Sequence, residues 1–331
     1  MSSWRRNVWV VAMANLVTMV GMSAFIPFFP DVLREMGISE DRALKVWSGI
    51  LTAAAPLSAA LMGPIWGALG DRYGRKLMVI RSLMAITVFV GIMGALTSPA
   101  VRDRLGLAGW WLTPWPLLLL RLGQGVFSGF IAPALTLVTE GAPPDRQGRV
   151  TAVSQSSLVA GTVVGPAVGA WIGAHGGPHL AFLWCAWTAA VATVLVAFIA
   201  SEGALPEGGN PLDRRRPWNA LRSAWVDARR DLSTGGLMPL MIGLFLVQVA
   251  NTLVHPVLRL HVEGFTGLPP GRMLEVAGYA FSVAALGQIL FSRFWGGWTD
   301  RVGAAGVIPL TTLLTALTFV PLGLVLVEPD A

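Results

Sequence analysis

The chain contains a single cysteine, Cys185, so neither a disulfide framework nor a cysteine metal site can be drawn from it. Charge is also scarce. Asp, Glu, Lys and Arg make up 13% of the residues against 54% hydrophobic, too little polar surface to cover a soluble globule of 331 residues. No His-Glu-x-x-His, Gly-x-Ser-x-Gly or pair of intramembrane aspartates is present, which removes the familiar hydrolytic sites, and no Walker loop is present to bind ATP. The expectation is a non-enzyme with no metal and no cofactor. Acidic residues are missing from one further place: no Asp or Glu lies deep in any of the apolar runs.

Those runs fill the chain. Windows of about 20 apolar residues, the length that carries a helix across the hydrocarbon core, recur throughout and exclude a lone signal peptide. Nine spans are expected, at roughly 7–29, 47–69, 78–97, 115–139, 150–172, 180–200, 237–258, 273–294 and 304–327. Continuous apolar stretches indicate helices, because a membrane β-barrel alternates in segments of roughly ten residues. The fold class is an all-α membrane protein. The net charge of +6 invites a nucleic-acid reading, but the basic residues sit in short loops beside spans. With the N-terminus in the cytoplasm, 16 of the 24 Lys and Arg lie on the cytoplasmic side, counting Arg81 and Arg293 near the inner ends of their spans, as the positive-inside rule requires. The expected place is the inner (plasma) membrane, with many passes, the lipid bilayer as partner and no nucleic acid. Trp47, Trp66, Trp110, Trp111, Trp171 and Trp298 fall at span ends, where an amphipathic ring suits the headgroup layer.

Three regions follow: residues 1–200 as an N-terminal bundle of six helices, 201–236 as a cytoplasmic linker, and 237–331 as three further helices. In the linker Trp218, Leu221 and Trp225 repeat at helical spacing among arginines, which fits either an amphipathic helix on the inner leaflet or a solvated charged loop. One segment occurs twice. Trp66-Gly-Ala-Leu-Gly-Asp71-Arg72-Tyr-Gly74-Arg75-Lys76 returns as Trp295-Gly-Gly-Trp-Thr-Asp300-Arg301-Val-Gly303. The two aspartates are 229 residues apart, and at the same offset Pro27 matches Pro256. Secondary transporters are built from such repeats, with the substrate site between them.

The repeated turn has a chemistry of its own. Its glycines, Gly67 and Gly74 among them, permit a tight reversal between helices, while Asp71, Arg72, Arg75 and Lys76 place charge where it can pair with neighbouring helix ends. Span four opens with Arg121, a guanidinium inside an apolar run, and Gln124 and Ser128 follow at i+3 and i+7 on its face. Span five carries Gly161, Gly165 and Gly169 at i, i+4 and i+8, with Pro166 between them, a seam that admits another helix closely. Asn15, Thr18 and Met22 share a face of span one, and Gln248, Asn251 and His255 share one of span seven. With Gln155 and Gln288 these would line a cavity of amides and methionines suited to bulky amphipathic small molecules, although a buried amide is also an ordinary interhelical hydrogen bond.

These motifs resemble the major facilitator superfamily over nearly the whole chain. Its signature loop is similar to Gly67-x-Leu69-x-Asp71-Arg72-x-Gly74-Arg75-Lys76, its fourth helix to Arg121-x-x-Gln124-Gly125, and its antiporter branch to Gly161-x-x-x-Gly165-Pro166-x-x-Gly169. Trp47-Ser-Gly-Ile50 and Arg75-Lys-Leu-Met78 most resemble bacterial multidrug efflux proteins. The resemblance implies a major facilitator fold and drug:proton antiport, with small hydrophobic or cationic substrates exported in exchange for protons by alternating access. It implies a gate in which Arg75 pairs with Glu140, a second gate loop at Asp300 and Arg301, and a link between Arg121 and proton coupling. Exporters of this kind carry a carboxylate in the first or fourth span; here the candidates are Asp31 and His255, with Glu140 behind them. A complete member has twelve spans, so the expectation is a C-terminal bundle reduced to its first three helices. A sugar or metabolite facilitator of the same fold, and a non-transporting shortened product, stay open as alternatives.

Overall fold

A computed structural model describes residues 3–106, 113–202, 294–303 and 306–314, with single residues and short stretches between 226 and 317. Among the described residues every regular element is a helix. The chain divides into two units by contact: Met1–Ala142 with Val153–Arg229, and Pro143–Ala152 with Arg230–Ala331. The first takes in most of the six-helix bundle expected over 1–200, while the short segment before Val153 groups with the later residues.

Six stretches of the described chain are long and apolar enough to cross a membrane, and they match the first six expected spans: Trp4–Glu35, Arg42–Tyr73, Arg75–Thr97, Trp115–Glu140, Pro144–Gly173 and Pro178–Ile199. Two of the six are interrupted. Helix α1, Ser3–Phe25, gives way to a 3-10 turn at Ile26–Phe28 and then to α2, Phe29–Glu35. Pro27 and Pro30 supply the reason, since neither has an N–H for the helical ladder, and each sits in the first turn of its element, where that loss is tolerated. The second span is α3, Asp41–Tyr73, which continues through Pro56 and Pro64. The third is α4, Arg75–Thr97, followed by the short α5, Pro99–Leu105.

The fourth span is divided between α6, Trp115–Phe127, and α7, Ile131–Glu140. At the break Ser128 is extended and Gly129 takes φ +138°, a left-handed conformation that disfavours any side chain. The expectation that Arg121, Gln124 and Ser128 share one helical face therefore fails at Ser128, which lies past the end of α6. The fifth and sixth spans are α8, Gln147–Gly176, and α9, Pro178–Ile199.

In the first unit α9 packs on α1 and α4, α3 packs on α6, and α4 also meets α6 and α7. The core is apolar and tightly filled. Phe25, Phe29 and Phe182 form an aromatic cluster with centroids 4.8–5.9 Å apart, all fully buried. Cys185 is buried beside Gly21, where a Cβ would stand 2.9 Å from its Cα, so it packs the α1–α9 contact. A reciprocal pair closes the bundle: Asn7 donates through Nδ2 to the Ser201 carbonyl and accepts from the Ser201 N–H, both at 2.8 Å.

Candidate functional site

The Gly67–Lys76 turn comes down to one glycine. Gly67 and Gly70 lie inside α3; Gly74 alone reverses the chain, with φ +99° and ψ 149°, serving at once as the C-cap of α3 and the N-cap of α4. Around it the charges pair as their types allow. Arg75 reaches Asp71, one turn back, and Glu140 at the end of α7, 3.5 Å away. The Arg75–Glu140 contact is the one the family resemblance implied. Glu202 was not anticipated. Its carboxylate accepts the backbone N–H groups of Arg75, at 2.8 Å, and Lys76, at 3.1 Å, so it caps the positive end of α4. A Cβ on Gly74 would meet that carboxylate at 2.8 Å, a second reason for glycine there. Arg72 lies with its guanidinium carbon 5.4 Å from the Tyr73 ring centroid, and its Nε and Nη2 are buried without an acceptor.

Arg121 is 1% exposed, and every contact it makes is specific. Nε donates to the Leu51 carbonyl at 2.9 Å, Nη2 to the Thr52 carbonyl at 3.3 Å and Nη1 to Gln124 Oε1 at 2.7 Å. The Phe25 and Phe29 rings stand 5.6 and 5.4 Å away, and Gln124 Nε2 reaches Met22 Sδ at 3.7 Å. Three predicted residues, Met22, Gln124 and Arg121, are thus one chain of contacts. The missing piece was Pro56, which has no N–H for the carbonyl four residues back; Arg121 supplies the donor that Thr52 lacks.

Gly161, Gly165 and Gly169 all face α1. A Cβ on each would stand 2.4 Å from Met19 Cβ, 2.6 Å from Ser23 Cβ and 2.2 Å from the Ala24 carbonyl respectively. Pro166 lies within α8, which continues through it. On the same interface Asn15, 1% exposed, donates to Ser154 Oγ at 3.0 Å. It makes an interhelical bond, and its partner is the serine beside the predicted Gln155, which is exposed. Asp31 stands on α2 at a partly exposed position, paired with Arg34 at 3.3 Å. Trp66, read as an interfacial anchor, instead donates Nε1–H to the Val126 carbonyl at 2.6 Å and carries the Arg81 guanidinium 3.4 Å above its ring. Gln248, Asn251, His255 and Gln288 lie outside the described residues, as do Trp110, Trp111 and the amphipathic stretch at Trp218–Trp225.

In the second unit the repeated loop is built as in the first. Gly303 takes φ +84° and donates to the Thr299 carbonyl at 2.9 Å, as Gly74 donates to Gly70 at 3.0 Å. Asp300 Oδ1 accepts the Gly148 N–H at 2.8 Å, in the first turn of α8. No Cβ fits at Gly148, where it would lie 2.2 Å from Asp300 Oδ1. A cavity of about 580 Å³ opens beside them, lined by Arg146, Arg149, Arg301, Asp145, Phe294 and Trp298.

A chain of long apolar helices, with charge inside them sparse and one loop geometry used twice, defines a multi-pass helical membrane protein of the repeated transporter class. Residues 11–329 match the Major Facilitator Superfamily, and the chain belongs to that family, whose members are transporters and not enzymes. It is 26% identical over 324 residues to the multi-drug resistance efflux pump PmrA homolog of Lactococcus lactis, covering 98% of this chain and 73% of that protein. It is 25% identical to the multidrug resistance protein MdtG of Proteus mirabilis, covering 98% and 74%. Among solved structures, the proton:xylose symporter XylE superposes with a TM-score of 0.64 at 16% identity, over 91% of this chain and 70% of that one, a likeness of fold.

Proposed function

We propose that this transporter exports small hydrophobic or cationic compounds in exchange for protons, alternating between inward- and outward-open forms at the inner membrane with its N-terminus in the cytoplasm. The observation that carries the reading is the Arg75 cluster. One guanidinium joins Asp71 in its own turn and Glu140 at the end of α7, and α7 continues, across the Gly129 break, the span that holds Arg121. Contacts of this kind hold one end closed without deep burial, so that they open when the balance of charge changes. The α1–α8 glycine seam supports the antiporter side of the reading, and the names of the relatives support efflux as its direction.

Export is tested in everted vesicles carrying the full-length protein, where respiration acidifies the lumen. Dye accumulation that collapses when the proton gradient is dissipated is the expected result; accumulation indifferent to the gradient overturns proton exchange. Asp31 and His255 are the proposed proton carriers. Unchanged pH-driven exchange in both Asp31→Asn and His255→Ala removes them.

A further inference from the structure

Away from their ends, the six described spans carry two charged side chains, Arg81 on α4 and Arg121 on α6, and both are cations. Their surroundings differ. Arg121 is satisfied by two carbonyls and Gln124. Arg81, about 9 Å along α4 from its first residue, uses only Nη2, which donates to Ser82 Oγ at 2.8 Å. Its Nε and Nη1 are buried with no acceptor.

The described carboxylates of the Gly74 end are engaged elsewhere: Asp71 and Glu140 with Arg75, and Glu202 with the first N–H groups of α4. A guanidinium cannot lose its charge to escape this, as a lysine would, because its proton is held too firmly. A buried donor without an acceptor is costly, and a charged one more so.

An aromatic wall stands beside the cation. The Trp66 ring lies beneath it, Phe127 is 6.1 Å from Trp66, and Phe89 stacks on Phe127 at 6.2 Å with their planes 14° apart. Arg81 and Trp66 are both partly exposed and Phe127 is exposed, so a ligand can reach this face, and Nε and Nη1 become available to it when the guanidinium turns outward from the Trp66 ring.

From these observations we infer that Arg81 is a substrate-binding residue and that the preferred substrates are amphipathic organic anions, a carboxylate or sulfonate accepting from Arg81 while a planar apolar body lies against Trp66 and Phe127. This rests on the transport reading and narrows it, replacing the cationic substrates expected from the sequence.

The test measures binding of two planar dyes, anionic fluorescein and cationic ethidium, to the purified full-length protein by fluorescence anisotropy. Wild type binds fluorescein more tightly than ethidium; Arg81→Gln weakens fluorescein about tenfold or more, the loss expected of a charge-assisted hydrogen bond, and leaves ethidium unchanged. Arg81→Lys retains most of the affinity. Preference of the wild type for ethidium, a measurement that needs no variant to fold, overturns the inference, as does unchanged fluorescein affinity in Arg81→Gln. Everted vesicles that pump ethidium while the protein ignores fluorescein refute this inference and leave export standing. Binding of fluorescein through Arg81 with neither dye pumped does the reverse.

Discussion

Arg121 hydrogen-bonds the Thr52 carbonyl, at 3.3 Å, that Pro56 leaves without its helical donor. A helix defect in α3 and a buried cation in α6 satisfy each other, and neither would be tolerated alone in hydrocarbon. Arg121→Ala should therefore destabilise the protein by about 2–4 kcal/mol through orphaned carbonyls and Gln124. The melting temperature in detergent should fall and transport should be lost. Arg121→Lys should recover only part, because one ammonium cannot reach three acceptors in fixed directions.

Two glycines of the Gly67–Lys76 motif should respond in opposite ways. Gly74→Ala meets both a positive φ and the Glu202 carboxylate, and should cost about 1–3 kcal/mol. Gly67→Ala enters open space inside α3 and should be neutral or stabilising by up to about 1 kcal/mol. Thermal unfolding of the two variants side by side checks this. Equal melting temperatures would contradict it.

Glu202→Ala should remove the cap at the start of α4 and cost about 0.5–1 kcal/mol, with a larger effect at low salt than at high. Hydrogen exchange of the first α4 amides should quicken in the variant.

Glu140 is 59% exposed and shares Arg75 with Asp71, so Glu140→Gln should change stability by less than about 1 kcal/mol. If the pair is a latch, the effect appears in function instead. Accessibility of a single cysteine introduced at the Gly74 end should rise in the variant while its melting temperature stays near that of wild type.

Along the seam, Gly169→Leu should be the most damaging of the α8 glycine substitutions, since even a Cβ there lies 2.2 Å from the Ala24 carbonyl, a backbone atom that cannot turn aside. Gly63→Leu, in open space, is the control. Yield of folded protein by size exclusion distinguishes the two.

Much of this was legible in the chain. Apolar runs located the six described spans, the 229-residue repeat anticipated the matching turns at Gly74 and Gly303, and the family resemblance named the Arg75–Glu140 pair. Glu202 could not be read, because it caps α4 from 127 positions away and nothing in its local sequence marks it. Ser154 was missed for a related reason: a helical face tolerates an error of one residue, and Gln155 was the more polar neighbour. The break at Gly129 had a local signal, Ser128-Gly129, but it competed with an apolar periodicity that runs through it.

Composition and periodicity by themselves determined that this is a membrane protein and how its described spans are laid out, because crossing hydrocarbon imposes length and apolarity on every helix separately; the family came from the resemblance of its motifs. Which polar atoms meet was decided only by tertiary structure. One partner of Arg121 is a carbonyl freed by a proline 65 positions away, and Arg81 differs from it in lacking acceptors for Nε and Nη1. A hydrogen bond in the bilayer depends on what the opposing helix presents, and that information exists only once the helices have packed.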